Sequence, residues 1–193
     1  MTKYLGPNRI KTAVFISGTG SNLKNLIKFS FLEKSPIQIV LIISSNLKAK
    51  GLLFAKKYKI KRKILNFKNK IEDEKKILKM LKKNNIDLIC LAGFMKILSR
   101  NFIKKFPGKI LNIHPSLLPK FKGLNTHKRA IMNKEKYSGC TVHYVNSRLD
   151  SGKIILQKKV KINKNETLKT LGKKVKTQEY KLYPKAILKI FNL

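Results

Sequence analysis

The chain has 193 residues and a formal net charge of +36, a length typical of one domain with its own hydrophobic core. No stretch reaches the roughly 18 apolar residues that span a bilayer, and residues 1–12 lack the apolar block of a signal peptide, so a cytoplasmic protein without membrane association is expected.

Forty of the 45 basic residues are Lys and five are Arg. Because Lys, Ile and Asn all have A/T-rich codons, this charge indicates compositional drift, and nucleic-acid binding is unlikely. Steering of anionic small molecules is a further alternative.

Hydrophobic periodicity predicts alternating strands and helices up to residue 114. The predicted strands are Lys11–Ser17, Ile37–Ser44, Ile60–Asn66, Ile86–Leu91 and Lys109–His114. The predicted helices are Asn22–Leu32, Lys48–Tyr58, Lys70–Asn85 and Arg100–Phe106. Such alternation predicts an α/β fold with a doubly wound, mostly parallel sheet and helices on both faces. We expect a single domain over residues 1–193, with residues 1–10 as a loose N-terminal extension.

The C-terminal part departs from this alternation. A helix near Thr126–Asn133 is followed by two predicted strands, Gly139–Val145 and Lys153–Val160. Their connection is too short for a crossover helix, so the pair should be antiparallel. The tail, Glu166–Ile190, is predicted to be largely helical and interrupted near Pro184.

The two cysteines lie inside apolar strand-like runs. Cys90 and Cys140 lack the spacing of metal ligands, so we expect buried thiols in a reducing compartment and no metal site.

A glycine-rich loop, Gly18-Thr19-Gly20-Ser21-Asn22, separates the first strand from the first helix. Glycines permit close backbone approach, and the free N–H groups of a helix N-terminus bind phosphate. Leu23 stands where a dinucleotide fingerprint needs its third glycine, and no Gly-Lys-Ser/Thr follows as in a Walker loop. The loop therefore predicts a phosphate cradle, and the alternative is an ordinary turn in which Ser21 or Asn22 caps the helix.

The strand that ends at His114 carries Asn112 on the same face, since side chains two residues apart point to one side. A hydrogen-bond donor and a titratable imidazole at the end of a strand can polarise a carbonyl and move a proton, although both can also merely satisfy turn backbone. Asp150, one of nine acidic residues, is either a turn cap or a carboxylate that raises the pKa of His114 toward or above neutrality. His143 is interpreted as a packed or supporting histidine, and His127 as a solvated cap or loop latch.

These segments, in this order, resemble the phosphoribosylglycinamide formyltransferases, a branch of the 10-formyltetrahydrofolate transferases. The resemblance covers about residues 11–190. Asn-Ile-His-Pro-Ser-Leu-Leu-Pro at 112–119 is specific to the wider transferase group, and the Gly-x-Gly-Ser-Asn loop narrows the resemblance to this branch. The other matching segments are Gly18–Asn22, Ala92–Leu98, Leu149–Gly152 and Thr177–Glu179. The resemblance implies an enzyme of de novo purine (IMP) biosynthesis. It would transfer a formyl group from 10-formyltetrahydrofolate to the amine of 5'-phosphoribosylglycinamide, through a tetrahedral oxyanion and without a metal.

The resemblance also implies site residues. The nucleotide would be bound by Gly20, Ser21, Asn22 and Glu179. The folate would be bound by Lys70, Met95, Lys96, Ile97, Leu98 and Asn112. The catalytic residues would be Asn112, His114 and Asp150.

Three positions depart from the family pattern. Lys70 and Lys96 replace the usual Arg, which keeps the charge but loses bidentate geometry toward the glutamate tail of the folate. Asn125 stands where His is frequent. The segment Ser116–Asn133 is a candidate mobile lid. We expect small-molecule substrates and a monomer or weak homodimer.

Three alternatives remain at this stage. A methionyl-tRNA formyltransferase would need a further C-terminal β-barrel domain, and a formyltetrahydrofolate hydrolase a preceding regulatory domain. A non-catalytic nucleic-acid-binding protein would use the lysine-rich faces.

Overall fold

The computed structural model describes residues 9–193, so most of the predicted N-terminal extension lies outside the described residues. The strands are β1 (Ile10–Ile16), β2 (Ile37–Ser44), β3 (Lys61–Ile64), β4 (Leu88–Leu91), β5 (Lys109–His114), β6 (Tyr137–Tyr144) and β7 (Ile154–Lys161). The helices are α1 (Ser21–Ser30), α2 (Leu52–Lys57), α3 (Lys70–Lys83), α4 (Arg100–Lys105), α5 (Thr126–Met132) and α6 (Leu168–Ile190).

The seven strands form one sheet in the order β3-β2-β1-β4-β5-β6-β7, with helices packed around it. Strand β1 pairs in parallel with β2 and β4, and β2 pairs in parallel with β3. Strands β6 and β7 pair antiparallel. The predicted fold class and the antiparallel pair are confirmed.

The chain divides into two compact units, one that ends at Leu111 and takes in Leu193, and one that runs from Asn112 to Asn192. In the first unit, the strands β1, β2 and β4 are almost wholly buried from Ala13, Leu41 and Leu88 onward, because strands of a parallel sheet are covered on both faces. The sequence expectation of a single domain stays a prediction.

In the second unit, α6 packs against β6 and β7. This helix continues from Leu168 to Ile190 with Pro184 inside it, so the predicted interruption is wrong. Proline removes one backbone donor, but Leu182 and Tyr183 before it and Ala186 and Ile187 after it are buried. Packing on both sides therefore keeps the two halves in one helix.

Candidate active site

The glycine-rich loop of the first unit leads into α1 without a side-chain cap. The N-cap is Gly20, in the left-handed conformation with φ 73°, and no side chain of the described residues caps it by a hydrogen bond. By contrast, Asn69, Ser99 and Thr167 cap α3, α4 and α6 with their side chains. The alternative in which Ser21 or Asn22 caps α1 is therefore wrong, and the N-terminus of α1 has the polarity that favours an anion.

Gly20 is fixed by the backbone behind it. A Cβ at this position would lie 2.4 Å from the Cα of Gly51, which begins the turn into α2. The N–H of Gly51 donates to the carbonyl of Gly18 at 3.1 Å. Close approach and positive φ both require glycine at position 20, so this loop is held in one shape by the main chain.

The predicted folate residues of this unit lie on two segments. Met95 and Ile97 expose 67% and 62% of their surface, whereas Leu98 exposes 4%. Two neighbouring exposed apolar side chains suit contact with an apolar ligand, and Leu98 could offer only its backbone. Lys96 and Lys70 are exposed, the latter as the first residue of α3.

The second unit brings the three predicted catalytic side chains together. His114 Nδ1 lies 3.3 Å from Asp150 Oδ2, and Asn112 Nδ2 donates to Asp150 Oδ1 at 3.4 Å. His114 and Asp150 are both buried. The predicted convergence of amide, imidazole and carboxylate is thus present, while the catalytic roles stay a prediction.

The turn that carries Asp150 explains its position. Asp150 adopts φ 45°, a left-handed conformation that Asp tolerates better than most residues. At Gly152, a Cβ would lie 1.7 Å from the carbonyl oxygen of Tyr144. The Leu-Asp-Ser-Gly motif therefore folds tightly against the end of β6 and directs the carboxylate to His114.

His143 completes the cluster and orients Asn112. Its Nδ1 lies 2.8 Å from the carbonyl of Tyr144, which can only accept, so Nδ1 carries the proton. In the neutral ring, Nε2 then accepts from Asn112 Nδ2 at 3.2 Å. The amide of Asn112 therefore points its NH2 group at both His143 and Asp150. The sequence interpretation of His143 as a packed, supporting residue is confirmed.

Two backbone groups of the loop after β5 also hold the cluster, and sequence reasoning missed both. His114 Nε2 lies 2.9 Å from the carbonyl of Phe121, and the N–H of Gly123 donates to Asp150 Oδ2 at 2.9 Å. Main-chain groups leave no residue-type signal. The glycine at 123, with φ 77°, is the one hint that the chain turns sharply there.

The charge state of His114 differs from the expectation. Burial lowers its pKa below the ordinary 6.5, and the carbonyl of Phe121 and the carboxylate of Asp150 raise it only in part. The prediction that Asp150 lifts the pKa of His114 toward or above neutrality is therefore wrong, since desolvation is the larger effect. Burial would also raise the pKa of Asp150, but the neighbouring His143, the N–H of Gly123 and the imidazole of His114 outweigh it and lower that pKa.

The remaining candidates lie elsewhere in the second unit. Glu179 is buried on α6. Burial, with Glu179 nearby, raises the pKa of the Cys140 thiol to about 12, so Cys140 is inert as a nucleophile. Cys90 and Cys140 are both buried thiols, as predicted, and neither is in a disulfide. His127 is half-buried on α5, where Asn125 is the N-cap, and burial lowers its pKa.

Residues 9–193 contain no cluster of three or more His, Cys, Asp or Glu side chains suited to a metal ion. Nor does that range hold a helix both long and apolar enough to cross a membrane.

A polar cluster of amide, imidazole and carboxylate at the end of a strand can move a proton and stabilise an oxyanion, which is the chemistry of group transfer at a carbonyl. Residues 10–187 match the formyl transferase family, and the chain belongs to that family. The resemblance to phosphoribosylglycinamide formyltransferases is confirmed by the relatives that follow.

The phosphoribosylglycinamide formyltransferase of Haemophilus influenzae is 43% identical over 180 residues, which cover 92% of this chain and 85% of that protein. The human trifunctional purine biosynthetic protein adenosine-3 is 43% identical over 182 residues, 93% of this chain. The chain spans only 18% of the length of that larger relative. Among solved structures, phosphoribosylglycinamide formyltransferase from Brucella melitensis superposes with a TM-score of 0.89 at 41% identity, covering 95% of this chain and 96% of that one.

Proposed function

We propose that this protein transfers the formyl group of 10-formyltetrahydrofolate to the amine of 5'-phosphoribosylglycinamide, in purine biosynthesis. The observation that carries the proposal is the buried contact of His114 Nδ1 with Asp150 Oδ2 at 3.3 Å, beside the amide of Asn112. Relatives that carry this activity in their names cover most of the chain, which supports the same reaction.

The uncapped N-terminus of α1 supports binding of the nucleotide phosphate. Its first-turn N–H groups and the positive end of the helix dipole favour an anion, and Gly20 keeps the approach clear of a side chain. Ser21 is half-buried and Asn22 is buried at the same turn. We expect Gly20, Ser21 and Asn22 to hold the phosphate, and Glu179 to contact the glycinamide part.

The exposed apolar pair Met95 and Ile97 supports binding of the folate ring system. Peptide groups of residues 95–98 would supply the polar contacts, because Leu98 has no exposed side chain to offer. Lys70 and Lys96 are exposed cations suited to the carboxylates of the glutamate tail. Each provides a point charge and no planar fork, so we expect a weaker preference for tail geometry than Arg would give.

The lowered pKa of His114 sets the order of proton movements. The lowered pKa favours a neutral imidazole before reaction, with its proton on Nε2 toward the carbonyl of Phe121, while Asp150 remains a carboxylate beside Nδ1. As the amine attacks the formyl carbon, a proton of the amine passes to His114, directly or through water, and Asp150 stabilises the imidazolium. The imidazolium then stabilises the oxyanion, and the amide of Asn112 joins it when its 3.4 Å bond to Asp150 opens.

Collapse of the tetrahedral adduct reverses the proton movement. The bond from the formyl carbon to the donor nitrogen breaks, and His114 returns its proton to that nitrogen. Because the carbonyl of Phe121 occupies Nε2 of His114, transfer through that atom requires the loop at 120–123 to move. This requirement agrees with a lid at Ser116–Asn133, and protease sensitivity of the segment with and without folate tests it.

The test of the function is a turnover assay with both substrates, followed by the absorbance of the deformylated folate. We expect turnover by the unmodified protein and a loss of about 100-fold or more in His114→Ala. His127→Ala is the matched histidine control and should retain turnover. Absence of turnover in the unmodified protein, or near-normal turnover in His114→Ala with unchanged circular dichroism, would refute the proposal.

A cytoplasmic location, the absence of a metal and a monomeric or weakly dimeric state remain predictions. Analytical ultracentrifugation of the purified protein tests the last of these.

A further inference from the structure

The side chain of Ser17 joins three loops of the first unit. Ser17 directly follows β1 and precedes the glycine-rich loop, Ser45 directly follows β2, and Gly93–Met95 follows β4. Strands β2, β1 and β4 are neighbours in the sheet. The loop that we assign to the phosphate and the segment that we assign to the folate therefore both leave the sheet beside one serine.

The hydrogen bonds at Ser17 connect all three loops. Its N–H donates to the carbonyl of Gly93 at 3.1 Å, and its hydroxyl accepts from the N–H of Met95 at 2.8 Å. The same hydroxyl lies 2.6 Å from the hydroxyl of Ser45. Its carbonyl accepts from Asn46 Nδ2 at 3.3 Å.

The hydroxyls of Ser17 and Ser45 form a buried pair. Ser17 directly follows the apolar end of β1, Ala13 to Ile16. An apolar residue at position 17 would suit the packing, so the hydroxyl has to be explained by its bonds. Without it, the part-buried N–H of Met95 would lose its partner, and the segment that begins at Met95 would lose its bond to the end of β1. The far end of the same segment is also fixed, since the N–H of Ser99 donates to Glu74 Oε1 at 2.8 Å.

We propose that Ser17, supported by Ser45, is a positioning residue that sets the phosphate loop and the folate segment at the same time. This inference rests on the proposed function, because it uses the binding roles assigned there to Gly20–Asn22 and Met95–Leu98. Ser17 is not among the residues assigned to the chemical step. Its effect should therefore appear in the affinity for both substrates and much less in the chemical step.

The experiment measures KM for each substrate, kcat and the melting temperature of Ser17→Ala. We expect KM for the nucleotide and KM for the folate each to rise about tenfold, with kcat changed less than threefold. Ser45→Ala leaves the Met95–Ser17 bond in place, so both KM values should rise in parallel but by a smaller factor. Should Ser17→Ala not fold, Ser45→Ala carries the same test.

Ser30→Ala is the matched control, because Ser30 is also buried and its hydroxyl donates to the carbonyl of Ile27 within α1. It should lower the melting temperature without a change in either KM. A lower melting temperature with both KM values unchanged in Ser17→Ala, or a rise confined to one substrate, would overturn the inference. A failure of the proposed function is distinct, since the unmodified protein would then show no turnover.

Discussion

Two functional regions of this protein are fixed by different parts of the chain. The glycine-rich loop before α1 is held by main-chain contacts, with the Cα of Gly51 directly behind Gly20. The cluster around Asp150 is held by side chains, where one carboxylate meets His114, Asn112 and the N–H of Gly123. The first region depends on the absence of a side chain, and the second on the presence of one charge.

This contrast predicts how each region fails. An added methyl group should disrupt the glycine-rich loop, where shape decides. In the polar cluster, where charge decides, replacing a carboxylate by an amide of nearly equal volume should be severe. The variants below separate shape from charge.

The largest effect is expected for Asp150→Asn, which keeps volume and removes charge. The carboxylate accepts from Asn112 with one oxygen and from Gly123 with the other, whereas an amide has a single acceptor oxygen. The uncharged amide also no longer stabilises imidazolium at His114. We expect turnover to fall on the order of 10² to 10³-fold with the fold retained. Steady-state kinetics and circular dichroism measure both.

Asp73→Asn is the matched control for this variant. Asp73 is a buried carboxylate that accepts from the N–H of Phe67 at 2.9 Å, much as Asp150 accepts from Gly123. Its replacement should cost stability while kcat stays within threefold. Equal loss of kcat in both variants would show that buried charge in general, and not Asp150, limits turnover.

Gly20→Ala is expected to have the next largest effect. The new methyl group would lie 2.4 Å from the Cα of Gly51, and φ 73° is unfavourable for alanine, so the turn into α1 must shift. We expect a rise of more than about tenfold in KM for the nucleotide and a loss of about 2 kcal/mol in the free energy of unfolding. Kinetics and urea unfolding test the two parts.

Gly18→Ala is the control in the same loop. Nothing lies within 4 Å of a Cβ at Gly18, and its φ is not in the left-handed region. We expect its unfolding free energy to change by less than about 0.5 kcal/mol. Equal destabilisation by the two alanines would mean that loop entropy, and not the contact with Gly51, explains the result.

The two regions also differ in how far the sequence reveals them. The glycine-rich loop could be predicted, because its glycines lie between a strand and a helix, but spacing alone could not exclude a cap by Ser21 or Asn22. Convergence of Asn112, His114 and Asp150 was predicted from motifs. The lowering of the His114 pKa could not be predicted, because burial depends on the packing of distant segments around the imidazole.

The other features that the sequence did not predict also depend on how the folded chain packs. The carbonyl of Phe121 and the N–H of Gly123 hold the cluster, yet every residue has such groups, so no pattern marks these two. The helix through Pro184 is a case in which tertiary packing overrides a local rule. Strand and helix identity, in contrast, follow from periodicity, and the antiparallel pairing of β6 with β7 follows from the short connection between them.

Thr141→Val should have a smaller effect, on the stability of the protein through the loop after β5. The hydroxyl of Thr141 is fully buried; it accepts from the N–H of Leu118 at 3.1 Å and from Gln157 Nε2 at 2.8 Å, and donates to the carbonyl of Ser116 at 2.7 Å. Valine has the same shape without these bonds, so we expect a loss of about 1–3 kcal/mol in urea unfolding. An unchanged unfolding free energy would show that the loop after β5 is not held by this hydroxyl.

The smallest expected effect is the pH dependence of stability that arises from His114. Its pKa is below 6.5 in the folded protein because of burial, so the unfolded chain binds the proton first as the pH falls. The free energy of unfolding should therefore decrease as the pH drops below 6.5. Urea unfolding at about pH 7.5 and about pH 5.5 should show this decrease, and His114→Gln should show less of it. His127, whose pKa burial also lowers, acts in the same direction, so His127→Gln measures its share. A decrease that is equal in the unmodified protein and in His114→Gln would assign the acid sensitivity to other groups and leave the buried imidazole without a thermodynamic effect.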